Sequence, residues 1–238
     1  MAKKIYIDAG HGGSNPGATY NGRKESEDVF KLATSVSELL KEQGFETKLS
    51  RVANSDPDLN DRAKEANNWG ADYFISIHRN AFSPNKAKGA EVWVYSKVAT
   101  NGETYSMAAN ILKHLCSVTG FDNRGVKLGA AGNYTDYAVN RETKMSSCLL
   151  EVGFVDNDSD NKIFDDKFID MAKSIAIAIC ENCGVEFKAK TEQNSVETTS
   201  GVIYRVQVGA FSKRENAEAY AAKIKAAGFD AIIVTSRI

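Results

Sequence analysis

Two histidines, His11 and His78, and two glutamates, Glu25 and Glu151, stand where the hydropathy pattern of the chain changes character. Lys4 to Asp8 alternates as a strand does, then breaks into Gly10, Gly12 and Gly13 around His11. A histidine at the mouth of a strand is held rigidly from one side, while the glycines let the backbone turn and let a second molecule approach. Tyr73-Phe74-Ile75-Ser76-Ile77 is apolar enough for a fully buried strand, and His78 follows it directly. Ser147 to Phe154 is another such run with Glu151 inside it, and a carboxylate in that setting needs a reason. Glu25 follows the first strand by one loop. Two imidazoles and a carboxylate are the ligand set of a catalytic zinc ion whose fourth position is left to water. A second carboxylate beside it can take the water's proton and return it to a leaving nitrogen. Glu151 suits that role, because apolar surroundings raise a carboxyl pKa, and Glu25 then joins His11 and His78 as the third ligand. The plainer alternatives are a glycine turn with an incidental imidazole, and a Glu25 that only complements a helix dipole.

The elements between these residues must bring them together. From Glu25 onward, Val29, Phe30, Leu32, Ala33, Val36, Leu39 and Leu40 share one helical face, and Gly44 ends the helix. Phe45 to Arg51 alternates as a strand, Pro57-Asp58-Leu59 opens a second helix, and Gly70 closes it. Gly89 to Tyr95 reads as a strand and about Thr104 to Val118 as a helix, whose His114 is a structural or surface residue. Phe121 to Arg141 reads as a long irregular loop bordering a site, and Phe164 to Cys180 as a helix. Strands alternating with helices predict an α/β fold, a mainly parallel twisted sheet flanked by helices on both faces. In such sheets ligands gather at the C-terminal strand edge, where His11, His78, Glu151 and Glu25 all converge.

Of 238 residues, 30 are basic and 31 acidic, so a net charge of −1 gives no global case for binding nucleic acid or an anionic membrane. No run approaches the ~20 apolar residues of a membrane span, so no membrane insertion is expected. The N-terminus has no apolar core of signal-peptide length; synthesis in the cytoplasm without a cleavable leader is the expectation. Cys116, Cys148, Cys180 and Cys183 are spread through core-like segments rather than arranged as a disulfide framework. Cys180-Glu-Asn-Cys183 lacks a second pair and ends an apolar helix, which argues against a zinc ribbon or a redox motif. Lys188 to Gly201 is polar and reads as a linker. Beyond it, Val202 to Val208, Asn216 to Ala227 and Asp230 to Thr235 read as a strand, a helix and a strand, one small βαβ unit.

Four stretches in order, Asp8-Ala9-Gly10-His11-Gly12-Gly13 with Pro16-Gly17-Ala18, Gly22-Arg23-Lys24-Glu25, Ser76-Ile77-His78-Arg79-Asn80-Ala81, and Leu150 to Asn157, resemble the zinc-dependent N-acetylmuramoyl-L-alanine amidases of the Amidase_3 type. The resemblance covers roughly residues 3 to 183. It implies one zinc ion on His11, Glu25 and His78, Glu151 as acid/base, and peptidoglycan as substrate. The bond cut would be the amide joining the lactyl group of N-acetylmuramic acid to L-alanine. Glu27, two residues beyond Glu25, is the alternative third ligand. Arg79 stands where the family often has a small residue, either touching substrate or facing water. Competing functions are a zinc peptidase or deacetylase on another wall amide, and a non-catalytic wall-binding module. Tyr204 to Phe211 with Asn216-Ala217 and Ala221 looks like the first half of a SPOR peptidoglycan-binding domain. The domains expected are thus 1–184 catalytic, 185–201 linker, and 202–238 a half-SPOR-like unit for glycan binding. Because ~35 residues are few for independent stability, two such tails are expected to pair in a homodimer; the alternatives are packing on the chain's own catalytic domain and a truncated remnant. Without a leader, a wall enzyme would act after release through a holin or by cell lysis, as a bacteriophage endolysin or a mother-cell lytic enzyme does.

Overall fold

A computed structural model describes residues 2–189, 207–226 and 231–235. The chain divides into two compact units, one ending at Ala189 and one starting at Lys190. The first unit runs β1 (Lys4–Ala9), β2 (Thr19–Tyr20), β3 (Arg23–Lys24), α1 (Glu25–Glu42), β4 (Glu46–Leu49), α2 (Leu59–Trp69) and β5 (Tyr73–Asn80). It continues with β6 (Ala90–Val94), α3 (Glu103–Thr119), β7 (Asn123–Leu128), α4 (Ala138–Arg141), β8 (Ser146–Phe154), α5 (Asp158–Asp166) and α6 (Phe168–Asn182).

Six strands form one sheet in the order β4-β1-β5-β8-β6-β7, parallel except where β6 meets β8. Alternation along each strand sorts its side chains to two faces. Ile5, Ile7, Ile75, Ile77, Leu150 and Val152 face the larger core, built with the apolar stripes of α1, α3 and α6. Tyr6, Phe74 and Leu149 face the other way, against Ala66 and Trp69 of α2 and Val139 of α4. His78 and Glu151 share the parity of Phe74 and Leu149, so they emerge on the α2 and α4 face. Helix starts follow local chemistry: Asp58 caps α2 through the Asn60 amide, and Asn157 caps α5 through those of Ser159 and Asp160.

Several elements differ from expectation. The stretch 121–141 is not all loop, because Asn123–Leu128 pairs in parallel with β6 as an edge strand. An edge strand needs only one apolar side, and Arg124 and Lys127 use the other to reach Glu91. The helix expected over Phe164 to Cys180 is two helices, α5 and α6, broken at Lys167, where φ is −113°. β5 runs through His78 to Asn80 instead of stopping before it. Tyr20-Asn21-Gly22 closes a two-strand hairpin, with Asn21 and Gly22 both at positive φ (49° and 82°) as a tight hairpin turn requires.

All four cysteines are free, and burial pushes the thiols of Cys180 and Cys183 up to about 11, which makes them poor nucleophiles and poor ligands near neutrality. His114 pairs at the surface with Glu181 at 2.8 Å. Among the described residues, no helix is long and apolar enough to cross a membrane. In the second unit α7 (Arg214–Ala226) lies where a helix was expected. The expected strand at 202–208 and the linker lie largely outside the described residues. Residues 231–235, which fall within the strand expected over Asp230 to Thr235, form no strand.

Candidate metal centre and cleft

The C-terminal edge of the sheet brings three of the four candidate residues into contact. His11 Nε2 lies 3.1 Å and His78 Nδ1 3.0 Å from Glu25 Oε1. One ligand atom from each of the three residues lies within 4.8 Å of the others. Glu27 is at the surface, paired with Lys24, and takes no part.

Backbone geometry accounts for this convergence. His11 adopts φ +58°, a conformation unfavourable for a residue with a side chain, directly after β1. Arg62 of α2, almost fully buried, holds the turn by donating to the carbonyls of Ala9 (2.7 Å) and His11 (2.9 Å) and to Asp8 (2.7 Å) and Asp56 (2.9 Å). Arg51 holds the same turn through the carbonyls of Ala9 (2.9 Å) and Gly10 (3.1 Å). Gly10 leaves room for the His78 ring, since a β-carbon there would lie 2.3 Å from its Cε1. Gly17, at φ +68°, leaves room for both Glu25 and His11.

Hydrogen bonds then orient each group. Asn15 Oδ1 accepts the Gly17 amide (3.1 Å), which fixes it as an acceptor, so His11 Nδ1 at 3.2 Å must be the protonated nitrogen. Nε2, which faces Glu25, is then the nitrogen left for a metal to take, the orienting function that outer partners serve around metal ligands. Glu25 accepts the Ala18 amide on Oε2 and the Arg79 amide on Oε1, each at 2.9 Å. Burial alone would raise the Glu25 carboxyl, but His11 and His78 outweigh it and hold it well below the usual range. Burial disfavours the charged His11, yet Glu25 and Asn15 outweigh that and raise its pKa in the metal-free chain. Three groups suited to a shared cation thus face one point. Two imidazoles and one carboxylate leave one position of a tetrahedral zinc ion open, so the donor set fits zinc.

Glu151 sits one strand away, in register with His78 on β5 and with Glu91 on β6. Its Oε2 is buried without a hydrogen-bond partner. Desolvation, followed by the neighbouring charges of Glu25 and Glu91, pushes its pKa well above the carboxylate range, only partly offset by Arg79. Glu91 has the opposite fate: burial raises its carboxyl, but Lys127, Arg124 and Trp93 outweigh this and keep it low. His11, Glu25, His78 and Glu151 all open onto one cleft of about 650 Å³, walled by Pro57 and Leu59 on one side and Tyr137 to Val139 on another.

Sequence reasoning overlooked Asn15, Arg51, Arg62 and Glu91. Two left a signal: Arg62 lies on the apolar face of its helix, and Glu91 is an acid inside an apolar strand, as Glu151 is. Arg79 neither lines up with solvent nor waits for substrate; its side chain is wholly buried.

Residues 5–181 match the family described as N-acetylmuramoyl-L-alanine amidase, Amidase_3, and residues 189–237 match the SPOR domain. A sporulation-specific N-acetylmuramoyl-L-alanine amidase of Bacillus subtilis (strain 168) is 36% identical over 97% of this chain and 84% of its own. The endolysin of Bacillus phage SPP1 is 32% identical over 79% of this chain and 69% of its own. Among solved structures, the catalytic domain of CwlV, an N-acetylmuramoyl-L-alanine amidase from Bacillus (Paenibacillus) polymyxa var. colistinus, superposes with a TM-score of 0.69 at 30% identity, covering 77% of this chain and 99% of that one. Its match over most of its length, and the fold it shares with these catalytic domains, make this chain a member of the Amidase_3 family of N-acetylmuramoyl-L-alanine amidases.

Proposed function

We propose that this protein hydrolyses peptidoglycan at the amide between the lactyl group of N-acetylmuramic acid and L-alanine, with zinc on His11, Glu25 and His78 and Glu151 as general acid/base. The observation that carries the chemistry is the unpartnered buried carboxyl of Glu151, in register with His78 and facing the same cleft. Zinc, when bound, supplies a water acidified to a pKa of about 7 and polarises the scissile carbonyl.

The remaining work falls to the chain. Asn15 keeps His11 in the tautomer whose Nε2 is free to bind, and the amides of Ala18 and Arg79 hold the Glu25 carboxylate in place. The Glu151 carboxyl takes the proton of the attacking water and delivers it to the departing alanine nitrogen. Its raised affinity for a proton is what a group needs to do both near neutral pH. Glu91, fixed as an anion by Arg124 and Lys127, sustains that affinity from the neighbouring strand. The test is incubation of the zinc-loaded protein with a defined muropeptide. A new L-alanine amine is the expected product; release of acetate or of an amine further along the stem would replace this reading with a deacetylase or peptidase.

The C-terminal unit serves to hold the enzyme on the wall, and two tails pair to do so. Val208, Phe211, Tyr220 and Ile232 to Val234 are exposed apolar side chains among its described residues, the kind of surface a second tail would cover. Light scattering of the full chain at micromolar concentration should return a dimer, and a monomer would refute the pairing.

A further inference from the structure

Arg79 follows His78 on β5, yet its side chain points to the opposite face of the sheet and is fully buried. A buried arginine is tolerated where its nitrogens find acceptors, and here its side-chain hydrogen bonds land on the two elements that carry Glu25 and Glu151. Nη1 donates to Asp28 Oδ2 (2.7 Å), one turn along α1 from Glu25. Nε donates to the Val152 carbonyl and Nη2 to that of Phe154, both at 3.2 Å, on β8 just beyond Glu151. The guanidinium lies 4.5 Å from the Phe164 ring, and the backbone amide holds Glu25 Oε1.

The two carbonyls flank a bulge. His78 pairs with Glu151 but Asn80 pairs with Phe154, so β8 carries one extra residue there, and Gly153 adopts φ +70°. A bulge breaks the ladder and lets a strand bend, which is a poor place to leave a catalytic carboxyl unsupported. Asp28 is itself anchored, accepting from Arg23 Nε at 2.5 Å, and Arg23 grips Asp165 through both terminal nitrogens at 3.0 and 2.7 Å. Ion pairs thus link α5, α1 and β5 in a continuous chain, and the Arg79 hydrogen bonds to two carbonyls extend it to β8.

We infer that Arg79 is a positioning residue for the hydrolysis: it pins both sides of the β8 bulge to α1, so that Glu151 keeps a fixed distance from the His11, Glu25 and His78 cluster. This rests on the roles proposed above. Arginine suits the task because its planar fork spans two carbonyls and a carboxylate at once, which lysine cannot do.

The test uses the full chain loaded with zinc, as Arg79→Met, Asp28→Asn and the double variant, assayed on a defined muropeptide. Zinc stoichiometry is measured alongside, as is amide exchange over residues 149–156 in the metal-free protein. Each single variant should lose about 10- to 100-fold in kcat with KM within about twofold, retain one zinc per chain, and exchange faster over 149–156. The double variant should be no worse than Arg79→Met by more than about twofold, since both act on one link. A folded, zinc-loaded variant with wild-type kcat overturns the inference, as does a loss that merely tracks lost zinc or folded fraction. Should Arg79→Met not fold, the nearly isosteric Asp28→Asn carries the same readouts. An inactive wild type would instead remove the hydrolase reading, and the exchange measurement would then decide the clamp alone.

Discussion

Replacing Gly10 by alanine adds one methyl group, and its surroundings determine what must give way. A β-carbon at that position would lie 2.3 to 2.6 Å from three atoms of the His78 ring, against the 3.4 Å where ordinary contact begins. Something has to move by about 1 Å. The backbone is held, because the Gly10 amide donates to the Ile77 carbonyl at 3.1 Å and its carbonyl accepts from Arg51 at 3.1 Å. The ring therefore yields, taking Nδ1 away from its 3.0 Å approach to Glu25. Zinc–nitrogen bonds tolerate only about 0.2 Å, so a shift of that size removes a ligand, and misplacement near 1 Å costs about 100-fold in rate. The stability cost of overpacking is about 1–3 kcal/mol. Zinc affinity by chelator competition, kcat on a muropeptide and thermal melting should thus show a site lost from a chain that still folds. Gly120→Ala is the control: φ is +80° there, nothing lies within 4 Å, and only about 1 kcal/mol of stability should go. Wild-type zinc affinity in Gly10→Ala, or an equal loss in Gly120→Ala, would refute the reasoning.

Asn15→Ala frees His11 to adopt either tautomer and should weaken zinc binding about 10- to 100-fold by competition titration, with the fold intact. Glu27→Gln should leave zinc content and rate unchanged, whereas Glu25→Gln should abolish both, as metal analysis and turnover would report. Zinc affinity should fall as pH drops through the raised His11 pKa, because a proton then holds the nitrogen the metal needs; a calorimetric pH series checks this. Glu151 titrates the other way for stability. Its folded pKa lies above the unfolded value near 4.3, so ionisation costs the metal-free fold stability as pH rises past that value. Melting curves should therefore show Glu151→Gln matching wild type at pH 4 and exceeding it by a margin that grows as pH rises, until it passes the folded Glu151 pKa.

The architecture was readable because its core strands are continuous apolar runs and its helices keep a 3.6-residue stripe, both direct consequences of burial. His78 and Glu151 could be placed at the sheet edge for the same reason: each interrupts or ends such a run. β7 could not be read, since an edge strand with Arg124 and Lys127 turned to Glu91 carries no apolar pattern. The buried arginines were hidden too. Periodicity assigns Arg62 to a helix face and Arg79 to a strand, but only the fold shows the carbonyls and carboxylates that satisfy their donors. Glu25 over Glu27 is a matter of two residues at a helix start, and three-dimensional placement separates one almost fully buried from one at the surface.

The most direct test of the chemistry is release of the L-alanine amine from a defined muropeptide by wild type and Glu151→Gln, with zinc counted in both. If Glu151 handles the proton, the variant keeps one zinc per chain and loses about 100- to 10,000-fold in kcat. Equal rates at equal zinc content would contradict that role and move the proton to another group in the cleft.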